Sequence, residues 1–529
     1  MTDTTSFDGL GRTLRREASA PGEVPVWVNY SHNVMGELTH QSYPNSTVGT
    51  GYVYDGLSRV VATLNGNPVG TTNAEHINYT SYGNLYVVNQ DSTGRASIDY
   101  YRAYSDPDKR ERVRLASGES VNGSLIALAD VRQTRNILGQ LTTVSMGGKT
   151  RGYGYDGRYF LTSKTDPEVG ATTFERDAIG NLISQHIGAG PATIYAYDNR
   201  NRLTDISYPS SEDAAVPNAP AVKNTYDANG NLVASLSGDI SRSFSYDENN
   251  QITKESLSIG ASTQTLGYAY DSNEALASIT YPSGHQVSYM PDAFGRARAV
   301  LPYIHSVDYH PNGMPSQISY ANGVVSTMGI NSRQWPSDLT YGQGSSRFVN
   351  STYVYDPVGN MVNINELADG VYARAFAYDK LDRLITEATT TVNRQYGYDR
   401  TGNLTYLRTP TGLSTYTYDT ATGLLTGVAG GFSRSFEYDQ AGNVSANGYN
   451  TFGHDHANNL RCTDCGTAVQ KLHDYDGSNM RAQTVAAQGT TQYLHDSQGL
   501  LMQTMDSSLR KELIYLGRRQ VAERSIELN

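Results

Sequence analysis

Tyr378-Asp379, Tyr398-Asp399, Tyr418-Asp419 and Tyr438-Asp439 stand twenty residues apart and open variants of one phrase, Tyr-Asp-x-x-Gly-Asn-Leu. A fixed internal period constrains architecture before any single residue does, because each unit must bury its apolar side against its neighbours. The clearest copies are Tyr226-Asp227 with Gly230-Asn231, Tyr355-Asp356 with Gly359-Asn360, Tyr398-Asp399 with Gly402-Asn403 and Tyr438-Asp439 with Gly442-Asn443. Decayed copies fill most of the rest, most weakly between Ala62 and Thr150. The chain therefore divides into a degenerate repeat region at 1–150, a regular array at 151–523 and a tail at 524–529. A stretch rich in Pro, Ala, Ser and acid at 209–221 interrupts the array and reads as an exposed loop insertion.

Each phrase predicts a β-hairpin on stereochemical grounds. Asp at the first turn position can bond its own turn backbone, and Gly three residues later suits the left-handed conformation that closes a three-residue loop with a bulge. Where Gly is lost it becomes Asn201, Asn250, Asn458 or Asp382, the side chains that best tolerate positive φ, whereas Ser58 and Glu274 fit less well. With this loop Tyr398 should face Leu404 and Tyr226 should face Leu232 across the strand pair. Asn322-Gly323 reads as a separate, two-residue turn. Tyrosines at period two, such as Tyr353 and Tyr355, form a stripe on one face. Ring stacking between neighbouring hairpins is the favoured use of that stripe, and sugar stacking is the alternative. The fold class is all-β. Isolated hairpins are marginal in water, so the units should pair laterally into one continuous spiralling sheet, a hollow shell or part of one.

The chain has 40 Tyr against 10 Phe, a preference for rings with a polar tip. Its net charge of -11 and lack of any basic block argue against a nucleic-acid partner. No apolar run is long enough for a membrane span, and no signal peptide is visible.

Chemistry-bearing motifs are sparse. Cys462-Thr-Asp-Cys465 with His454 and His473 nearby offers two thiols and two imidazoles, a possible zinc set. A reversible disulfide competes with it, and an inert loop pair is the favoured reading. Gly147-Gly148-Lys149-Thr150 ends like a phosphate loop, but Thr143 stands where that motif needs its first Gly. No catalytic or cofactor-binding constellation emerges, so the expectation is a non-enzymatic protein without cofactors.

The phrase and its spacing resemble the YD repeats of the Rhs family, found also in toxin-complex C subunits and teneurins. That resemblance implies a hairpin ribbon spiralling into a shell that encloses a toxic C-terminal domain until delivery in intercellular competition. It also implies partners: a toxin or effector supplied elsewhere, and the remaining shell segments or a secretion machinery. The protein would then be secreted or displayed at the cell surface. No toxin domain follows the repeats, so the chain reads as a partial shell. An adhesin that binds carbohydrate or a partner protein through loop 209–221 is the alternative.

Overall fold

The computed structural model describes residues 1–65, 131–188, 190–379 and 381–528, at 132 the backbone alone. Between 65 and 131 it describes only the backbone of strands at 74–76, 78–79, 85–90, 96–101, 112–121 and 124–130. Much of the region read as degenerate repeats thus lies outside the described residues. The described secondary structure is strand throughout, apart from one 3₁₀ turn at Gly370–Tyr372. Two units share the chain. One comprises Met1–Arg151, Asp292–Ala299 and Ile304–Tyr416; the other comprises Gly152–Pro291, Val300–Tyr303 and Thr417–Asn529.

In the first unit, strands from Ile304–Tyr309 to Leu404–Thr409 follow one another in chain order, each antiparallel to the next. The expected register is met, with Tyr398 opposite Leu404 and the bulge falling between Gly397 and Tyr398. Apolar burial is thin here, at Ala62, Ala299, Ile304, Val307 and Ile318 among the described residues, and small or acidic side chains such as Ser326, Ser351 and Glu366 are buried alongside. That suits a Tyr-rich, Phe-poor composition.

The second unit has the same meander, from Leu161–Asp166 to Gln286–Ser288 and from Phe452–His454 to Arg519–Glu527. Its ladder is interrupted after Arg434–Ser435 and again after Val444–Ala446, so the strand order is continuous while the sheet is segmented. Here the two runs meet face to face. Leu257, Leu266, Val287, Leu494, Met502 and Ile514 are at most 2% exposed, which makes this contact the dry part of the fold. Backbone and side-chain bonds cross it: Tyr281 donates to the Leu513 carbonyl at 2.8 Å and Gln503 to Gln264 Oε1 at 3.0 Å. Sequence periodicity gives no hint of it, because its partners lie more than 200 residues apart.

A buried ion cluster sits in the same contact. Arg242 pairs with Asp476 at 2.7 Å and Glu255 at 3.4 Å, all three at most 3% exposed. Tyr268 donates to the Glu255 carboxylate. Burial raises the Glu255 pKa to about 7, despite the opposing pull of Tyr268 and Arg242. The folded state therefore binds a proton that the unfolded chain has released, between the ordinary value of 4.5 and about 7. Stability from this group is present at low pH and lost as pH rises through that window. Urea unfolding midpoints of wild type and Glu255→Gln should diverge accordingly, with the wild type declining more steeply from pH 5 to pH 8.

The insertion at 209–221 is a loop with most of its residues exposed, but it is anchored at two points. Val216 and Ala219 are 7% and 8% exposed, and His456 Nε2 lies 3.1 Å from the Ser210 carbonyl. Val216 finds its place against Gly453 of the strand Phe452–His454, an anchor that a count of polar residues overlooks.

Candidate functional site: the repeat turn and the contacts that join repeats

The turn motif is built as its chemistry requires. In the Asp227 turn, Asp227 N–H donates to the Asn231 carbonyl and Gly230 N–H to the Asp227 carbonyl. Asp227 Oδ1 accepts the Asn231 N–H at 2.8 Å, and Oδ2 accepts the Asn231 side-chain amide at 2.9 Å. The same set recurs around Asp356 with Asn360, Asp399 with Asn403 and Asp439 with Asn443. Glycines 230, 359, 402 and 442 have φ of 100°, 103°, 92° and 82°. Where Arg replaces Asn, its guanidinium takes over the second carboxylate oxygen. Arg202 holds the Asp198 carboxyl down to about 2, its side-chain bond first and its backbone N–H next.

Asn201, Asn250, Asn458 and Asp382 occupy the left-handed position with φ of 60–63°. So do Ser58 and Glu274, at 61° and 64°, although neither side chain favours it. The turn overrides local preference at these two sites at a cost of about 1 kcal/mol each. Ser58→Gly and Glu274→Gly should each stabilise the protein by about that amount in denaturant titrations.

The Asn322-Gly323 segment departs from expectation. Tyr320 N–H donates to the Val324 carbonyl and Gly323 N–H to the Tyr320 carbonyl, so this is the same three-residue loop with Tyr in the Asp position. An Asn-Gly pair marks a two-residue turn only when both residues take positive φ, and here Gly323 alone does. The phosphate-loop-like Gly147-Gly148 is the true two-residue case. Both have positive φ, and they join strands Leu141–Met146 and Lys149–Tyr155.

Tyrosine use also differs from the stacking expected. Described ring pairs such as Trp335–Tyr355 are few. Instead the repeat Tyr hydroxyl donates to a carbonyl of the preceding repeat: Tyr226 to Leu203 at 2.8 Å, Tyr378 to Met361 at 2.8 Å, Tyr398 to Leu384 at 2.9 Å and Tyr438 to Leu425 at 2.9 Å. Arg202 and Arg383 lie over the rings of Tyr226 and Tyr398 at 4.7 and 4.8 Å. The excess of Tyr over Phe was the available signal. Tyr226→Phe keeps the ring and removes one such bond, so a loss of about 1 kcal/mol in unfolding free energy is expected.

A second link runs forward. The Asn after the turn Gly reaches the left-handed residue of the next repeat: Asn231 to Asn250 Oδ1 at 2.7 Å and Asn360 to Asp382 Oδ1 at 2.7 Å. Arg202 does the same job with the Asp227 carbonyl at 2.9 Å. Where turn, tyrosine hook and forward amide are all present, as at Asp227, they make the repeat a clip that grips both neighbours; Asn403 instead turns back to Thr401 Oγ1 at 2.9 Å. The recurrence of Asn or Arg after Gly carried that information in the sequence, where it reads only as turn chemistry.

The four residues weighed for zinc do not assemble. Cys462 and Cys465 are joined as a disulfide, with Cys462 on the strand Leu460–Thr463 rather than in a loop. His473 is bonded to Thr484 at 3.0 Å, and His454 faces Asp439 at 3.8 Å. Among the described residues no three metal-ligating side chains converge.

With this geometry in place, relatives can be compared. Residues 193–349 match the teneurin YD-shell family. No curated protein sequence matches the chain. A crystal structure of TcdB2-TccC3 superposes with a TM-score of 0.77 at 14% identity, covering 99% of this chain and 32% of that one. The corresponding TcdB2-TccC3-Cdc42 structure gives 0.77 at 13%, with 99% and 31% covered. The Tc holotoxin pore of Photorhabdus luminescens gives 0.73 at 13%, again with 99% and 31%. The chain thus spans about a third of the length of these proteins, and at such identity the likeness is one of fold. The chain thus matches the YD-shell family at residues 193–349 and shares the fold of these proteins over nearly its whole length.

Proposed function

We propose that the chain is a structural segment of an Rhs-type shell, a non-catalytic scaffold that helps enclose a toxin and deliver it between cells. The observation that carries this reading is the fold shared over nearly the whole chain with TcdB2-TccC3. The clip contacts suit it, because a container wall must resist local opening at every repeat. The toxin and the remaining wall would come from other segments or chains, and the site of action would be outside the producing cell. A small helical reporter fused after Asn529 and exposed to trypsin tests containment. Because this chain supplies only part of the wall, the fused reporter should be partly shielded and outlast the free one in half-life; equal cleavage would sink the reading. The adhesin alternative would use the exposed part of 209–221, around the buried Val216 and Ala219. It would gain support only from selective capture on a glycan array.

A further inference from the structure

The disulfide of the second unit lies where two loop segments meet. Cys462 is 0% exposed, whereas Cys465 is half-buried and lines a cleft of about 620 Å³ together with Val216 and Phe452. Both sulfurs share one seat with segment 209–221. A Cβ on Gly453 would stand 2.5 Å from Val216 Cγ2, 2.7 Å from Cys462 Sγ and 2.8 Å from Cys465 Sγ, so only glycine leaves room for all three. Cys462 Sγ also lies 3.8 Å from the Ala215 carbonyl oxygen. The ring from Cys462 to Cys465 holds a second segment as well. Asp464, inside the ring, has φ of 53°, a left-handed conformation that aspartate tolerates but does not favour. From it the Asp464 N–H donates to the Thr451 carbonyl at 2.8 Å. Its carboxylate accepts the Thr451 N–H at 3.0 Å and the Asn450 side-chain amide at 2.8 Å.

We propose that Cys462–Cys465 is a thiol–disulfide exchange site, and that its opening by a low-molecular-weight thiol unlatches segments 209–221 and 447–451. An incoming thiolate reaches only Cys465 Sγ, since Cys462 is enclosed. It forms a mixed disulfide there and expels Cys462 as a thiolate, which takes up a proton. A second thiolate then attacks the small-molecule sulfur of that mixed disulfide. Cys465 leaves as a thiolate and is protonated, and the two small thiols depart oxidised as one disulfide. Two thiols do not stay within bonding distance, so Cys465 must swing away from the Gly453 seat. That movement loosens Val216 and frees Asp464 from its left-handed conformation. The bridge has a sequence separation of 3 and so restrains little of the unfolded chain. Its opening therefore acts locally and leaves the fold standing. The site is independent of containment, so either reading can fail without the other.

Incubation of the full chain in glutathione redox buffer without denaturant, followed by alkylation and peptide mass mapping, tests this. A single glutathionyl group is expected on Cys465 and none on Cys462, giving way to two free thiols as reduced glutathione is raised. In hydrogen–deuterium exchange the reduced protein should exchange about tenfold faster at 209–221 and 447–451, with the strand Gly489–His495 unchanged. Cys462→Ser with Cys465→Ser should exchange like the reduced wild type and ignore glutathione. Opening only in denaturant, glutathione on Cys462, or exchange unchanged by reduction would each overturn the assignment. So would a serine double variant that unfolds, or one that exchanges like the oxidised wild type.

Discussion

Arg242→Met should be the most damaging single substitution in the second unit, costing about 3–5 kcal/mol of unfolding free energy at pH 8. The guanidinium is 3% exposed and lies between Glu255 and Asp476, which are each 2% exposed. It also donates to the His495 carbonyl. Methionine fills much of the space but leaves two carboxylates without a cation, far from water. The penalty comes from desolvated, unpaired charge, so it should shrink at pH 5, where Glu255 takes up a proton. Adding Glu255→Gln and Asp476→Asn should restore most of the stability, because asparagine can still accept the Ser478 and Met480 amides that Asp476 Oδ1 holds. Urea titrations of the single and triple variants at both pH values check this. A loss below 1 kcal/mol, or one equal at pH 5 and pH 8, would mean that the cluster is only a packed patch.

Gly180→Ala should cost about 3 kcal/mol, against about 1 kcal/mol for Gly230→Ala. Both glycines hold the left-handed turn position, at φ of 104° and 100°, so both substitutions carry the same backbone penalty. They differ in surroundings. A Cβ on Gly180 would stand 2.4 Å from Phe160 Cζ, whereas one on Gly230 meets nothing within 4 Å. Phe160 cannot retreat freely, because Arg158 and Arg176 lie over its ring at 5.2 and 5.6 Å. Overpacking against a held ring adds roughly 1–3 kcal/mol. Equal losses at the two sites, measured by denaturant unfolding, would show that the ring yields.

What could be read from the sequence, and what could not, divides by distance along the chain. The Asp227 turn, the positive φ at Gly230 and the pairing of Tyr226 with Leu232 are settled within six residues, where stereochemistry leaves few choices. The hook from Tyr226 to Leu203 and the amide from Asn231 to Asn250 cross to adjoining repeats. They were visible only as unexplained regularities, an excess of hydroxyls and a recurring Asn. The Arg242 cluster, the burial of Val216 and the cleft beside Cys465 depend on strands more than 200 residues apart, a relation that no local pattern encodes. Asn322-Gly323 failed for a different reason: a dipeptide signal was read without the Tyr320 carbonyl that fixes its loop length.

The central claim is that a repeat with the full contact set is clipped to the repeats on both sides, and hydrogen–deuterium exchange of Asp227→Ala against wild type tests it most directly. The substitution removes the acceptor that orders Asn231 and its amide to Asn250, and it loosens the turn whose Asp227 backbone carbonyl receives Arg202. Faster exchange is expected at 227–231 and also at 198–202 and 247–251. Acceleration confined to 227–231 would contradict the claim and leave the hairpins as independent units that merely lie side by side.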